Sequence, residues 1–72
     1  MGSKYPLLRP HEIIAALSQK GFSLKSTKGS HAKYTNGSRT AVIPMHDVVD
    51  RWTLKSILIQ AGIELDEFLK LL

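Results

Sequence analysis

Apolar positions near the start of the chain recur at helical spacing, with Ile13, Ile14, Ala16 and Leu17 forming a stripe at i, i+3 and i+4. Pro10 suits the first helical position, where its missing N–H is not needed, and Glu12 complements the positive helix end. Lys20-Gly21 supplies a cationic last turn and a residue that tolerates the left-handed conformation, so the first helix is expected to stop at Gly21. From Phe22 the period falls to two. Phe22, Leu24 and Ser26 alternate with Ser23, Lys25 and Thr27, as in a strand with one face on a core. Lys28-Gly29-Ser30 reads as a turn, and His31–Thr35 and Arg39–Ile43 read as two further strands around Asn36-Gly37, a strong hairpin signal.

Two registers suit that hairpin. A two-residue Asn-Gly turn pairs Tyr34 with Arg39, and a three-residue Asn-Gly-Ser turn with a bulge pairs Tyr34 with Thr40. The second is preferred because it gathers Ala32, Tyr34, Thr40 and Val42 on one face. Either way, His31 and Lys33 share the face opposite Ala32 and Tyr34. Pro44 ends the third strand, and Met45 to Arg51 reads as a loop carrying His46. Thr53 is the expected N-cap of a second helix with Leu54, Ile57, Leu58 and Ala61 on its apolar face and Gly62 closing it. A short last helix is expected over 65–72, with Glu64, Asp66 and Glu67 at its positive end. The expected fold class is α+β: an α-β-β-β-α order in which a three-stranded antiparallel sheet carries helices on one face and leaves the other free.

Length limits what such a chain can be. Seventy-two residues with 43% apolar and 22% charged content suit a single folded domain over residues 1–72, without room for a second core or a deep cofactor cleft. Total stability for this length is on the order of 4–11 kcal/mol. The absence of cysteine removes disulfides, thiolate zinc sites and a cysteine nucleophile, and points to the cytoplasm. Ile13–Leu17 is far short of the roughly 20 apolar residues that span a bilayer, and Pro6 and Pro10 interrupt the stretch a signal peptide would need. No membrane association is expected, and the free chain is expected to be monomeric. Met1-Gly2-Ser3 is given no weight.

The formal charge of +4 is unevenly placed. No Asp or Glu lies between Ile13 and His46, a stretch that holds Lys20, Lys25, Lys28, Lys33 and Arg39. Such segregation attracts a polyanion, and nucleic acid is the first partner to consider; the ordinary alternative is a solvated basic face without a ligand. Within this segment His31 follows the Lys28-Gly29-Ser30 turn. Its imidazole can take the proton of a ribose 2′-hydroxyl, so that this oxygen attacks the adjacent phosphate while nearby cations stabilise the developing charge. That chemistry needs no metal. Gly29 lets backbone approach a phosphate, and Ser30 can donate a hydrogen bond. His46 is a candidate second acid or base. The three histidines are widely separated and lack a nearby acidic cluster, so no metal or other cofactor is assigned. Tyr34 and Trp52 can stack on bases, but the commoner roles are packing of Tyr34 against the helices and covering of the start of the second helix by Trp52.

Four segments stand in order along the chain: Lys20-Gly21-Phe22, Lys28-Gly29-Ser30-His31, Val42-Ile43-Pro44-Met45-His46, and Thr53-Leu54-Lys55-Ser56-Ile57-Leu58 followed by Gln60-Ala61-Gly62-Ile63. Taken together they resemble the HicA family of toxin ribonucleases from bacterial type II toxin–antitoxin systems. The resemblance runs from about Arg9 to Leu72 and implies a fold like that of double-stranded-RNA-binding domains. It also implies cleavage of mRNA that halts translation, with His31 as the essential residue, and a HicB-type antitoxin that covers this site. Trp52 departs from the family pattern, in which a glycine commonly precedes the Thr-Leu of the second helix. The expected function is therefore a metal-independent endoribonuclease using His31, with Lys28, Gly29, Ser30, Lys33 and Arg39 on the RNA. Two other classes remain open: a non-catalytic RNA-binding module, which gives His31 no required role, and a protein-interaction module whose charge serves solubility.

Overall fold

The computed structural model describes residues 5–72. It contains, in chain order, α1 (Pro10–Ser18), β1 (Ser23–Lys28), β2 (His31–Thr35), β3 (Thr40–Pro44), α2 (Arg51–Ala61) and α3 (Leu65–Leu69). The strands form one antiparallel sheet in the order β1-β2-β3. This is the α+β architecture and the α-β-β-β-α order expected from the sequence. Met1-Gly2-Ser3 lies outside the described residues.

Helix ends follow local chemistry. At the start of α1 the Glu12 carboxylate accepts the Arg9 N–H at 2.8 Å, satisfying a donor just before Pro10. α1 itself ends at Ser18, and Gly21, at φ 85°, closes the following turn. The Gly21 N–H bonds to the Ser18 carbonyl at 3.1 Å and the Phe22 N–H to that of Leu17 at 3.2 Å, the paired bonds of a Schellman end. Gly62, at φ 72°, closes α2 with the same pair of bonds, onto Ile59 and Leu58. The start of α2 differs from expectation: Asp50, not Thr53, is the N-cap, and its Oδ1 accepts the Thr53 N–H at 2.7 Å. A carboxylate at this place reaches the third amide of the helix and meets its positive end, which Thr53 could do only for a helix starting three residues later. α3 stops at Leu69 rather than Leu72, and its last amides fold back onto carbonyls three residues earlier.

The hairpin register also departs from both alternatives. Tyr34 pairs with Ala41 and Thr35 with Thr40, so four residues, Asn36 to Arg39, form the loop. The Asn36 side chain decides this. Its Oδ1 accepts the N–H groups of Ser38 and Arg39 at 2.9 and 2.8 Å, while the Thr35 hydroxyl donates to the Arg39 carbonyl at 2.7 Å. With one residue more in the loop, Ala41 and Ile43 join Ala32 and Tyr34 on one face, and Thr40 and Val42 move to the other.

The helices cover the first of these faces. Ile13, Ala16 and Leu17 of α1, Ala41 and Ile43 of β3, Leu54, Ile57, Leu58 and Ala61 of α2 and Phe68 of α3 make one apolar cluster with Leu8, Phe22, Val49 and Ile63, and Tyr34 packs against it half-buried. β1 lies beyond this cover, and all six of its residues are exposed. Trp52 does not cover the start of α2; it is 78% exposed.

Candidate nucleic-acid interface

The sheet's uncovered face is set by β2. His31 and Lys33 alternate with the core-facing Ala32 and Tyr34, and residues directly opposite them on the neighbouring strands share their side. Pro44 of β3 lies opposite His31, and Val42 lies opposite Lys33. On the other side Lys28 of β1 pairs with His31, and Ser26 pairs with Lys33.

Lys28 reaches this face because β1 is irregular. Leu24 pairs with Tyr34 and Ser26 with Lys33, although Tyr34 and Lys33 are adjacent, so Lys25 is an extra residue in a β-bulge. The alternation read from sequence put Leu24 and Ser26 on one side of the strand; the bulge separates them. Uninterrupted alternation from Leu24 would have carried Lys28 to the helix side. With Lys25 absorbed, Leu24 stays beside Tyr34 while Ser26 and Lys28 turn toward the open face.

Between Lys28 and His31 the chain turns in two residues. Gly29 is at φ 60°, and Ser30 is not at positive φ, which is the φ pattern of a II′ hairpin with glycine in the first central place. A Cβ on Gly29 would meet nothing within 4 Å, so the turn backbone is open to an approaching group. The Ser30 carbonyl accepts the Met45 N–H at 2.6 Å, fastening the start of the loop after β3 to this turn.

The result is a cleft of about 680 Å³ lined by Ser26, Thr27, Lys28, His31 and Lys33, all exposed to solvent. Among the described residues neither lysine is paired with a carboxylate; the contacts of that kind are the Lys20–Glu67 ion pair and the approach of the His46 imidazole to Asp47. Two unneutralised ammonium groups therefore stand on the same strand surface as an imidazole. Such a group can hold a phosphodiester by charge and move a proton at an oxygen attached to it.

Of the residues singled out from sequence, Lys28, His31 and Lys33 line the cleft, and Gly29 and Ser30 form the turn at its end. His46 does not line it. His46 lies one residue beyond the anchored Met45 amide, exposed, with Nδ1 3.9 Å from a carboxylate oxygen of Asp47. Arg39 is at the far end of the β2–β3 hairpin, where its guanidinium would stand about 3.0 Å from a Cβ on Gly62. There it lies against the negative end of α2 rather than beside His31. Sequence alone does not point to Ser26, because no feature of Ser23–Lys28 marks where the alternation breaks; Thr27, which pairs with Ala32, also borders the cleft. His11 stands apart on α1, and among the described residues no group of three or more His, Asp or Glu is placed to hold a metal ion. No helix of the described residues is long and apolar enough to cross a membrane.

Fold and site together define a small basic α+β domain that buries one sheet face and presents a histidine between lysines on the other. The family model described as the HicA toxin of bacterial toxin–antitoxin systems matches residues 10–63, and the chain belongs to that family. The match spans every element from α1 to the end of α2. No curated protein matches the chain. Membership makes the protein a toxin with an antitoxin partner.

Proposed function

We propose that this toxin is a metal-independent endoribonuclease acting on mRNA in the cytoplasm, one domain over its whole length, with His31 as the group that moves the proton. The observation that supports this reading is the direct cross-strand pairing of His31 with Lys28, beside Lys33, on an uncovered face without a neutralising carboxylate. In this reading the backbone phosphates of a single strand lie along Lys33, Lys28 and the Gly29-Ser30 turn. His31 takes the proton of the ribose 2′-hydroxyl, and the freed oxygen forms a bond to the adjacent phosphorus. The bond from phosphorus to the 5′-oxygen breaks, that oxygen takes a proton, and the products are a 2′,3′-cyclic phosphate and a 5′-hydroxyl end. The lysines stabilise the negative charge that grows on the phosphate oxygens during attack. His46 is the second candidate for proton transfer, as donor to the leaving oxygen. A HicB-type antitoxin neutralises the toxin by covering His31 and excluding RNA.

The test is cleavage of an end-labelled RNA by wild type and by His31→Ala in excess EDTA, with thermal melts of both. Wild type cuts and leaves cyclic phosphate ends; His31→Ala loses at least about 100-fold in rate, the low end for a general acid or base, with an unchanged melting temperature. RNA binding without cleavage by wild type would instead support a binding module. Cleavage that persisted in His31→Ala would remove His31 from the mechanism.

A further inference from the structure

The outer surface of α2 carries a feature that neither the core nor the cleft uses. Leu54, Ile57, Leu58 and Ala61 take one side of this helix into the core. Trp52 and Ile59, seven residues and nearly two turns apart, lie on the opposite side, 78% and 65% exposed. Ser56 stands between them. The Lys55 ammonium is 5.5 Å from the centroid of the Trp52 ring. From Arg51 to Ala61 the helix has two cations and no carboxylate.

This stripe faces away from the cleft. α2 packs on the covered side of the sheet, whereas His31, Lys28 and Lys33 are on the other. An RNA strand held by the cleft would have to pass around the edge of β3 to reach it. Base stacking would also leave Ile59 unexplained, since a base needs the aromatic ring and a phosphate needs the cation, but neither needs an isolated isoleucine. A protein surface uses all three. Tryptophan is enriched among residues that dominate protein interfaces, and an apolar pair flanked by cations is complementary to an apolar pocket with an acidic rim.

We infer that the outer face of α2 is an anchor for the antitoxin, received by an apolar pocket with acidic residues around it. Trp52 enters the pocket, Ile59 extends the contact by two turns, and Lys55 meets the acidic rim. This anchor is separate from the covering of His31 and rests on membership of the toxin–antitoxin family, not on the cleavage mechanism.

Trp52 is the sole tryptophan, so its fluorescence reports what covers it. The experiment titrates the full chain with its purified antitoxin and, separately, with an RNA oligonucleotide carrying 2′-deoxy sugars to prevent cleavage. Antitoxin is expected to shift the emission to the blue, and the oligonucleotide to leave it unchanged. Calorimetry with Trp52→Ala, Ile59→Asp and the charge reversal Lys55→Glu is expected to show at least about a tenfold loss of antitoxin affinity for the first two. For Lys55→Glu the loss should shrink as salt is raised. All three variants should cut RNA like wild type when antitoxin is absent, because none touches the cleft. Emission moved by RNA and not by antitoxin would overturn the proposal in favour of a second RNA contact. Unchanged antitoxin affinity in all three folded variants would overturn it outright. Whether wild type cuts RNA at all bears on the proposed function and leaves this result readable.

Discussion

On the helix-covered face of the sheet Ala32, Ala41 and Ile43 are at most 2% exposed, whereas one residue along on the same strands His31, Lys33 and Thr40 stand in solvent. The two faces are built by alternate residues of three short strands, so they could hardly be closer in sequence. Their demands are opposite. The covered face needs apolar volume and excludes charge, whereas the open face carries Lys28 and Lys33, neither of them paired with a carboxylate among the described residues. In so small a domain, the core and the candidate site are kept apart by side of the sheet rather than by distance.

The largest effect should come from breaking the covered side. Phe68 of α3 is fully buried, and Phe68→Ala is expected to cost about 3–5 kcal/mol, a large share of the roughly 4–11 kcal/mol for a chain of this length. Urea titration should show the midpoint collapse, and a shift of only a few tenths of a molar would mean that α3 is not part of the cooperative core.

On the open side the expected losses are of binding rather than of folding. Lys28→Ala and Lys33→Ala should each weaken RNA binding several-fold and reduce the steepness of its salt dependence by about 0.7 in the log–log slope for a single strand. Arg39→Ala should leave that slope alone and lower thermal stability instead, because its guanidinium lies at the end of α2. A loss of slope from Arg39→Ala equal to that from Lys28→Ala would place the RNA along the whole hairpin.

A smaller effect separates the helix cap from both faces. The Asp50 carboxyl is held below the usual carboxylate value, first by the Thr53 backbone N–H and then by the Thr53 hydroxyl; desolvation opposes them, and the Trp52 N–H adds the least. Because its folded-state value is depressed, this contribution is present above the unfolded value, near 3.8, and is lost as pH falls through the folded one. Asp50→Asn should therefore melt below wild type at neutral pH, with the gap closing under acid. A gap that persisted at pH 2 would trace to geometry rather than charge.

The smallest effect is expected where simple alternation predicts a large one. Deleting Lys25 removes the bulged residue and leaves Leu24 opposite Tyr34 and Ser26 opposite Lys33 in a regular ladder. Cleavage and melting temperature should stay close to wild type. Loss of activity in a folded deletion variant would show that the bulge itself, and not only the facing it permits, matters to the cleft.

Much of this design was readable in the sequence, and the failures share a cause. The helix stripes, Gly21 and Gly62 as closing residues, the three-stranded order and the common face of His31 and Lys33 all depend on short-range patterns that few competing contacts can override. The hairpin register depended on whether the Asn36 side chain would fold back onto Ser38 and Arg39, a choice that Asn-Gly alone does not reveal. The bulge was invisible because Ser23–Lys28 is exposed throughout and has no apolar repeat to betray a slipped phase. Thus Lys28 was singled out for its charge and its nearness to His31 in the chain, while the cross-strand pairing that joins them emerged only from the structure. Asp50 was passed over because Thr53 also makes an acceptable cap.

The absence of any cleft residue from the apolar cluster has a genetic consequence. On the proposed function, a mutation that disarms the cleft is expected to leave the chain folded, with α2 and its outer face intact. Such an allele would be a decoy. In a cell that also carries an active copy, the harmless protein would occupy antitoxin, lower the free pool and sensitise the cell to its active sibling. Loss of function would then be dominant and injurious, whereas an allele that destroys the core would be silent.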